Sequence, residues 1–144
     1  MKLEKEFNEY LSNLAVMTFK LHNIHWNVEG MQFTAVHSFT EGMYENTFEF
    51  LDAVAELEKM YETMPVSTVK EYLELATIKE VPAKKFTPVE SFEILLGDVE
   101  ILRKQATELR NACEAEGWFS SQAVFEEQIE YYNKQIWFIK ATLG

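Results

Sequence analysis

Between about Thr34 and Met60 the chain reads as one unbroken helix, and its polar residues fall where a buried face would carry aliphatics. With His37 set at zero and about 100° per residue, Glu41 falls at about 40°, Asp52 at about 60° and Glu56 at about 100°. One imidazole and three carboxylates thus share an arc of about 100°, the width a globular helix normally turns to its core. Such groups are costly to bury unless they are paired or hold a cation. Glu45 and Glu49 are read instead as part of a solvated face.

Spacing sharpens the constraint. Glu41 and Asp52 stand about 16 Å apart along a helix axis. Metal–oxygen bonds are about 2.0–2.2 Å long, so no single ion can join the two pairs within one chain. A second copy of the helix crossing antiparallel, with a two-fold axis near Asn46 and Thr47, would set His37 and Glu41 of one subunit against Asp52 and Glu56 of the other. Symmetry repeats each contact, so two equivalent sites form. The stripe therefore predicts a metal site that exists only in a dimer.

The remaining chain supplies three more long helices. The first runs from about Leu3 to Val28, with Phe7, Leu11, Leu14, Val16, Phe19 and Ile24 as its apolar stripe and Gly30 as its C-cap. His22 and His25 lie near one face of it; His22 is expected to support a site from behind or to face solvent. After Pro65, Ser67 or Thr68 caps a short helix over Val69–Leu75. The stretch Ala76–Pro88, with two of the three prolines, joins the halves. Thr87, Pro88 and Glu90 open a helix running to about Ala115, ended by Gly117, and the last helix spans about Ser120–Ala141. Two helix pairs joined by a long crossover give an all-α, ferritin-like four-helix bundle with a short extra helix between the second and third long helices. One domain, 1–144, is expected.

Several functions are excluded by what the chain lacks. The formal charge is −11, which disfavours nucleic-acid binding and suits a cation-handling surface. The single Cys113 cannot form an intrachain disulfide and reads as a small core residue of a cytoplasmic protein. No signal-peptide pattern and no run long enough to span a membrane is found. No glutamate precedes His22, His25 or His37 by three positions, so the Glu-x-x-His pair of bundle-internal di-iron sites is missing. A Cys/His zinc site, a phosphate loop and a nucleophile motif are absent as well. His25, His37, Glu41, Asp52 and Glu56 remain as the metal candidates.

The block HNIHWNVEG, then His37, Glu41 and DAVAE ending at Glu56, resembles the Dps mini-ferritin family in residues and in spacing. STVKEYLELATIKE is similar to that family's short crossover helix and KQIWFIKATLG to its C-terminal helix end. The resemblance implies a hollow shell of twelve subunits. Ferroxidase centres would lie at its two-fold interfaces, with His25, His37 and Glu41 from one subunit and Asp52 and Glu56 from its partner. It further implies oxidation of ferrous iron, preferably by hydrogen peroxide, storage of ferric mineral and protection against oxidative stress. Trp26 beside a ligand is typical of the family, as a radical trap or as interface packing.

Three departures stand out. Position 41 is Glu where the family more often has Asp. Trp118, Phe119 and Ala123 occupy positions where many relatives place the acids of the iron-access pores, leaving Glu114, Glu116, Glu126 and Glu127 as substitutes. The lysine-rich tail of DNA-binding members is missing, and twelve copies would carry roughly −130 in charge, so direct DNA binding is not expected. The alternative is a metal-sequestering or DNA-associating assembly of the same kind with little ferroxidase turnover. A bundle whose acidic stripe sets only dimer register is a third reading.

Overall fold

The structure, a computed structural model, describes residues 1–144. Its elements are α1 (Glu4–Asn27), α2 (Phe33–Met60), α3 (Val69–Leu75), α4 (Pro88–Glu116) and α5 (Phe119–Leu143). α1 packs along α2 and α4 along α5, and the segment 61–87, which carries α3, links the two pairs. This is the ferritin-like bundle with its extra crossover helix.

Local chemistry accounts for the boundaries. Thr87 and Glu90 close a reciprocal capping box around Pro88, which lacks the amide a first-turn residue cannot use. Gly117 ends α4 at φ 74°, a left-handed turn that costs glycine nothing. Thr68, rather than Ser67, caps α3 by accepting from the Glu71 amide. The end of α1 differs from expectation: Val28, not Gly30, is the C-cap, with extended backbone. The cause is a one-residue parallel bridge between Val28 and Phe86, in which the Glu29 amide donates to the Phe86 carbonyl (3.0 Å) and the Phe86 amide to that of Asn27 (3.2 Å). Gly30 comes two residues later at φ 124°, where a Cβ would stand 3.3 Å from Pro88 Cδ.

One core of 27 buried residues runs through the bundle. Phe7, Leu11, Leu14, Val16 and Ile24 of α1 join it, whereas Phe19 is 66% exposed and is not a core residue. The buried Cys113 thiol belongs to the core too, and burial pushes its pKa up to about 11, so it stays protonated. From Tyr10 to Thr18 every residue of α1 is buried, because α2, α3 and α4 all pack against it. Apart from the Ser12 hydroxyl, which has no partner, the polar residues on and beside this stretch are tied down. The Asn13 carbonyl accepts from the amides of Thr77 (2.7 Å) and Ile78 (2.9 Å), while its amide donates to Thr77 Oγ1 (2.9 Å) and Gln105 Oε1 (2.8 Å). Lys20 pairs with Asp98 at 2.7 Å and donates to the Lys79 carbonyl at 2.6 Å. Tyr10 donates to Gln128 Oε1, leaving Tyr132 to donate to Tyr10, both at 2.6 Å.

Glu58 of α2 is fully buried and neither of its carboxylate oxygens has a hydrogen-bond partner. Burial, reinforced by the nearby Glu4 carboxylate, pushes its pKa from 4.5 up to about 7. The folded pKa exceeds the unfolded one. The proton Glu58 retains therefore stabilises the fold fully below about pH 4.5, and that contribution disappears as pH rises through about 7.

Two measurements follow from this packing. Asn13→Ala, which strips the acceptor from two crossover amides, is expected to lower the unfolding free energy by about 2–4 kcal/mol in denaturant titrations. A loss under about 1 kcal/mol would mean the crossover is held elsewhere. Glu58→Gln should gain roughly 3 kcal/mol near pH 8 and nothing near pH 4, as read from melting curves across that range. A pH-independent effect would contradict the protonated Glu58.

Candidate metal centre

The tight turn between α1 and α2 puts the last turn of one helix against the first of the other, and there two histidines grip each other. His25 Nδ1 donates to the His37 carbonyl at 2.7 Å, and His37 Nδ1 donates to the His25 carbonyl at 2.8 Å. A carbonyl only accepts, so both rings carry their proton on Nδ1. Both Nε2 atoms are left with a free lone pair. The rings stack at 3.6 Å and 16°, with Phe33 stacked on the far side of His37 and Tyr44 edge-on to His25. Thr40 Oγ1, itself donating to the Val36 carbonyl, takes a second share of the His25 proton at 3.1 Å. Two imidazoles with fixed tautomer and orientation are what a metal centre requires of its histidine ligands.

Electrostatics favour the ligating form. Burial holds the His25 pKa below its ordinary value, and the neighbouring His37 and His22 push the same way against the carbonyl bond and Glu41. The neutral ring therefore prevails at neutral pH, which is the form that binds a metal.

The acids stand in different places. Glu41 lies one turn beyond His37 on α2 and is exposed; Asp52 and Glu56 are exposed further along the same helix. None of the three enters an ion pair within the chain. No group of three or more His, Cys, Asp or Glu side chains converges on a metal position within the chain. The structure thus unites His25 with His37 and leaves Asp52 and Glu56 apart, as the spacing along one straight helix requires.

Two residues not counted as ligands from the sequence border the histidine pair. Glu45 is exposed, as expected, and lines an open pocket with Thr18, His22, Tyr44 and Phe48. Its wheel angle of about 80° already falls inside the acidic arc, a signal the sequence carried. Desolvation, reinforced by the carboxylates of Glu41 and Glu45, raises the Tyr44 phenol above its usual pKa. His22 is half-buried, its ring stacked on Tyr44 at 3.9 Å.

At the α4–α5 turn, Trp118 stacks on Tyr61 at 4.3 Å, while Phe119 is 74% exposed. Of the four nearby acids, Glu114 and Glu126 share Arg110, and Glu116 pairs with Lys2. Glu127 alone among them has no cation.

The reciprocal histidine bonds make a definite spectroscopic prediction. Long-range 1H–15N spectra of the metal-free protein should show His25 and His37 both protonated on Nδ1, against the Nε2 preference of free histidine. An Nε2-protonated ring at either position would break the arrangement described.

Known proteins resemble this chain along its whole length. A ferritin-like domain matches residues 4–144. The chain is 32% identical over 144 residues to the DNA protection during starvation protein of Helicobacter pylori, covering 100% of both. The X-ray structure of Dps from Listeria monocytogenes superposes with a TM-score of 0.95 at 32% identity, covering 100% of this chain and 94% of that one. Dps from Vibrio cholerae, described as one of a broad superfamily of ferritin-like diiron-carboxylate proteins, gives a TM-score of 0.94 at 25% identity over 99% of this chain and 89% of its own. The chain belongs to the Dps family of ferritin-like proteins.

Proposed function

We propose that the protein oxidises ferrous iron at centres completed by dimerisation. His25, His37 and Glu41 come from one subunit and Asp52 and Glu56 from the second. The observation that carries this reading is the histidine pair, with two free Nε2 atoms held beside an unpaired Glu41, on a helix whose remaining acids lie about 16 Å away. Large apolar side chains support a partner on this face: Trp26 is 68% and Phe48 60% exposed, and Phe33 is exposed as well. Iron is the substrate that suits the donors, since imidazole and carboxylate ligands accept both its oxidation states. The diiron-carboxylate character of the Vibrio cholerae relative points the same way.

Hydrogen peroxide is the oxidant in this reading. Two ferrous ions give one electron each, the peroxide O–O bond breaks, and two protons complete two waters. Pairing the electrons in one site avoids the one-electron cleavage that releases hydroxyl radical. The ferric product is stored as mineral inside a shell of twelve subunits in the cytoplasm. No helix is long and apolar enough to cross a membrane. With a charge of −11 per chain, protection of DNA is chemical rather than by direct binding.

Complementation tests the shared site. A double variant His37→Ala/Glu41→Ala and a double variant Asp52→Ala/Glu56→Ala should each lose fast peroxide-dependent oxidation in stopped flow. Refolded together, they form mixed dimers in which one of the two interfaces sites is fully wild type, restoring about a quarter of the activity. No recovery on mixing, with intact dimers by sizing, would defeat the inter-subunit centre. In a single-site test, Asp52→Ala should abolish fast oxidation and keep the assembly. Tight binding without oxidation in the wild type would instead identify a sequestering protein, and a lost assembly would make Asp52 structural.

A further inference from the structure

We propose that His22 and Glu45 form an additional ferrous-iron site, separate from the ferroxidase centre and lying between the two centres of a dimer. The placement rests on the dimer proposed above; the donor pair itself is a feature of one chain. The pocket between α1 and α2 has a volume of about 260 Å³ and is lined by Thr18, His22, Tyr44, Glu45 and Phe48.

Three observations equip it for a metal. First, His22 Nδ1 donates to the Thr18 carbonyl at 2.7 Å, so the ring is protonated there and its Nε2 lone pair is free. This is the device that prepares His25 and His37, applied a third time with a carbonyl of the ring's own helix. Second, the ring cannot swing: it stacks on Tyr44 at 3.9 Å and 21° and lies 5.3 Å from Trp26. Third, Glu45 on the facing helix has no ion pair within the chain. Imidazole and carboxylate lining one open pocket suit a borderline divalent ion whose other positions keep water.

Two protein donors make a weaker site than five, and weakness is useful in this position. Glu45 follows Glu41 by one turn, about 6 Å along α2. It also lies next to the two-fold axis expected near Asn46 and Thr47. Paired copies of the pocket therefore sit between the two centres, each one turn from the Glu41 of one centre and about 10 Å, two turns, from the Asp52 of the other. Iron that is bound lightly there can move on to a vacant centre, whereas a tight site would retain it.

Anaerobic calorimetric titration with ferrous iron tests the site, using the assembled wild type, His22→Phe, Glu45→Gln and Asp52→Ala. Phenylalanine keeps an aromatic ring against Tyr44 and deletes both nitrogens, the Nε2 ligand and the Nδ1–H bonded to the Thr18 carbonyl of its own helix; Glu45→Gln is an exposed substitution that keeps the fold. The wild type should show a tighter class and a weaker class holding one ion per subunit. His22→Phe and Glu45→Gln should each remove the weaker class and keep the tighter one, and Asp52→Ala should do the reverse. Crystals soaked anaerobically should show an iron anomalous peak about 2.2 Å from His22 Nε2. A wild-type isotherm without the weaker class, unchanged isotherms in both His22→Phe and Glu45→Gln, or a pocket filled by a side chain of the second subunit would overturn the proposal. Failure of the ferroxidase reading looks different: Asp52→Ala then leaves the tighter class intact, whatever happens at His22.

Discussion

A straight helix cannot bring its own distant side chains together, and α2 spreads its polar stripe along much of its 28 residues. Glu41 and Asp52, about 16 Å apart, can share an ion only if a second helix runs the other way beside the first. Everything proposed for this chain inherits that constraint. Chemistry waits on assembly, each interface holds two sites, and either subunit alone presents an incomplete set of ligands. The family's bundle supplies the rigidity, since α2 is backed by α1 along its length and cannot bend to close the gap.

Assembly on an acidic face raises an electrostatic question that magnitudes can answer. Bringing Glu41 near the opposing Asp52 and Glu56 before iron arrives would set like charges about one side chain apart, at about 3 kcal/mol per close pair for an effective dielectric near 20. Burying an aromatic side chain of about 150–200 Å² returns about 4–5 kcal/mol at 25 cal/mol per Å². Trp26, Phe33 and Phe48 are exposed on this side, and symmetry doubles them. The apolar contribution is therefore large enough to hold a metal-free dimer together, while the repulsion leaves the acids ready for cations. Iron binding then relieves that repulsion and tightens the interface by linkage.

How much of this was legible beforehand depended on the range of the interactions involved. Cap signals act within three or four residues, so Thr87-Pro88-x-Glu90, Gly117 and the short helix Val69–Leu75 could be read directly, and the structure keeps them. The end of α1 could not: Val28 leaves the helix because Phe86, far along the chain, pairs with it. Phe19 satisfied the helical period yet is exposed, since period locates a face but not how far the neighbouring helices cover it. Glu45 is exposed as read, but its angle also placed it on the acidic arc, and nothing in the sequence showed that it lines one pocket with His22. The reciprocal bonds between His25 and His37 lay beyond any sequence reading, because each ring reaches a backbone carbonyl on the other helix.

Those carbonyls also distinguish the three histidines. His22 bonds within α1, to the carbonyl four residues before it, and meets α2 only through its stack on Tyr44. His25 and His37 bond across the turn, so neither can reorient without parting the helices. The bond pair ties the geometry of the centre to the packing of α1 on α2, and the Val28–Phe86 bridge ties that turn to the start of α4. The two candidate ligands are thus held by the fold itself, a rigidity that suits the proposed centre, which must bind iron in two oxidation states without rearranging. His22, with no hydrogen bond across the helices, would yield an ion without disturbing that packing.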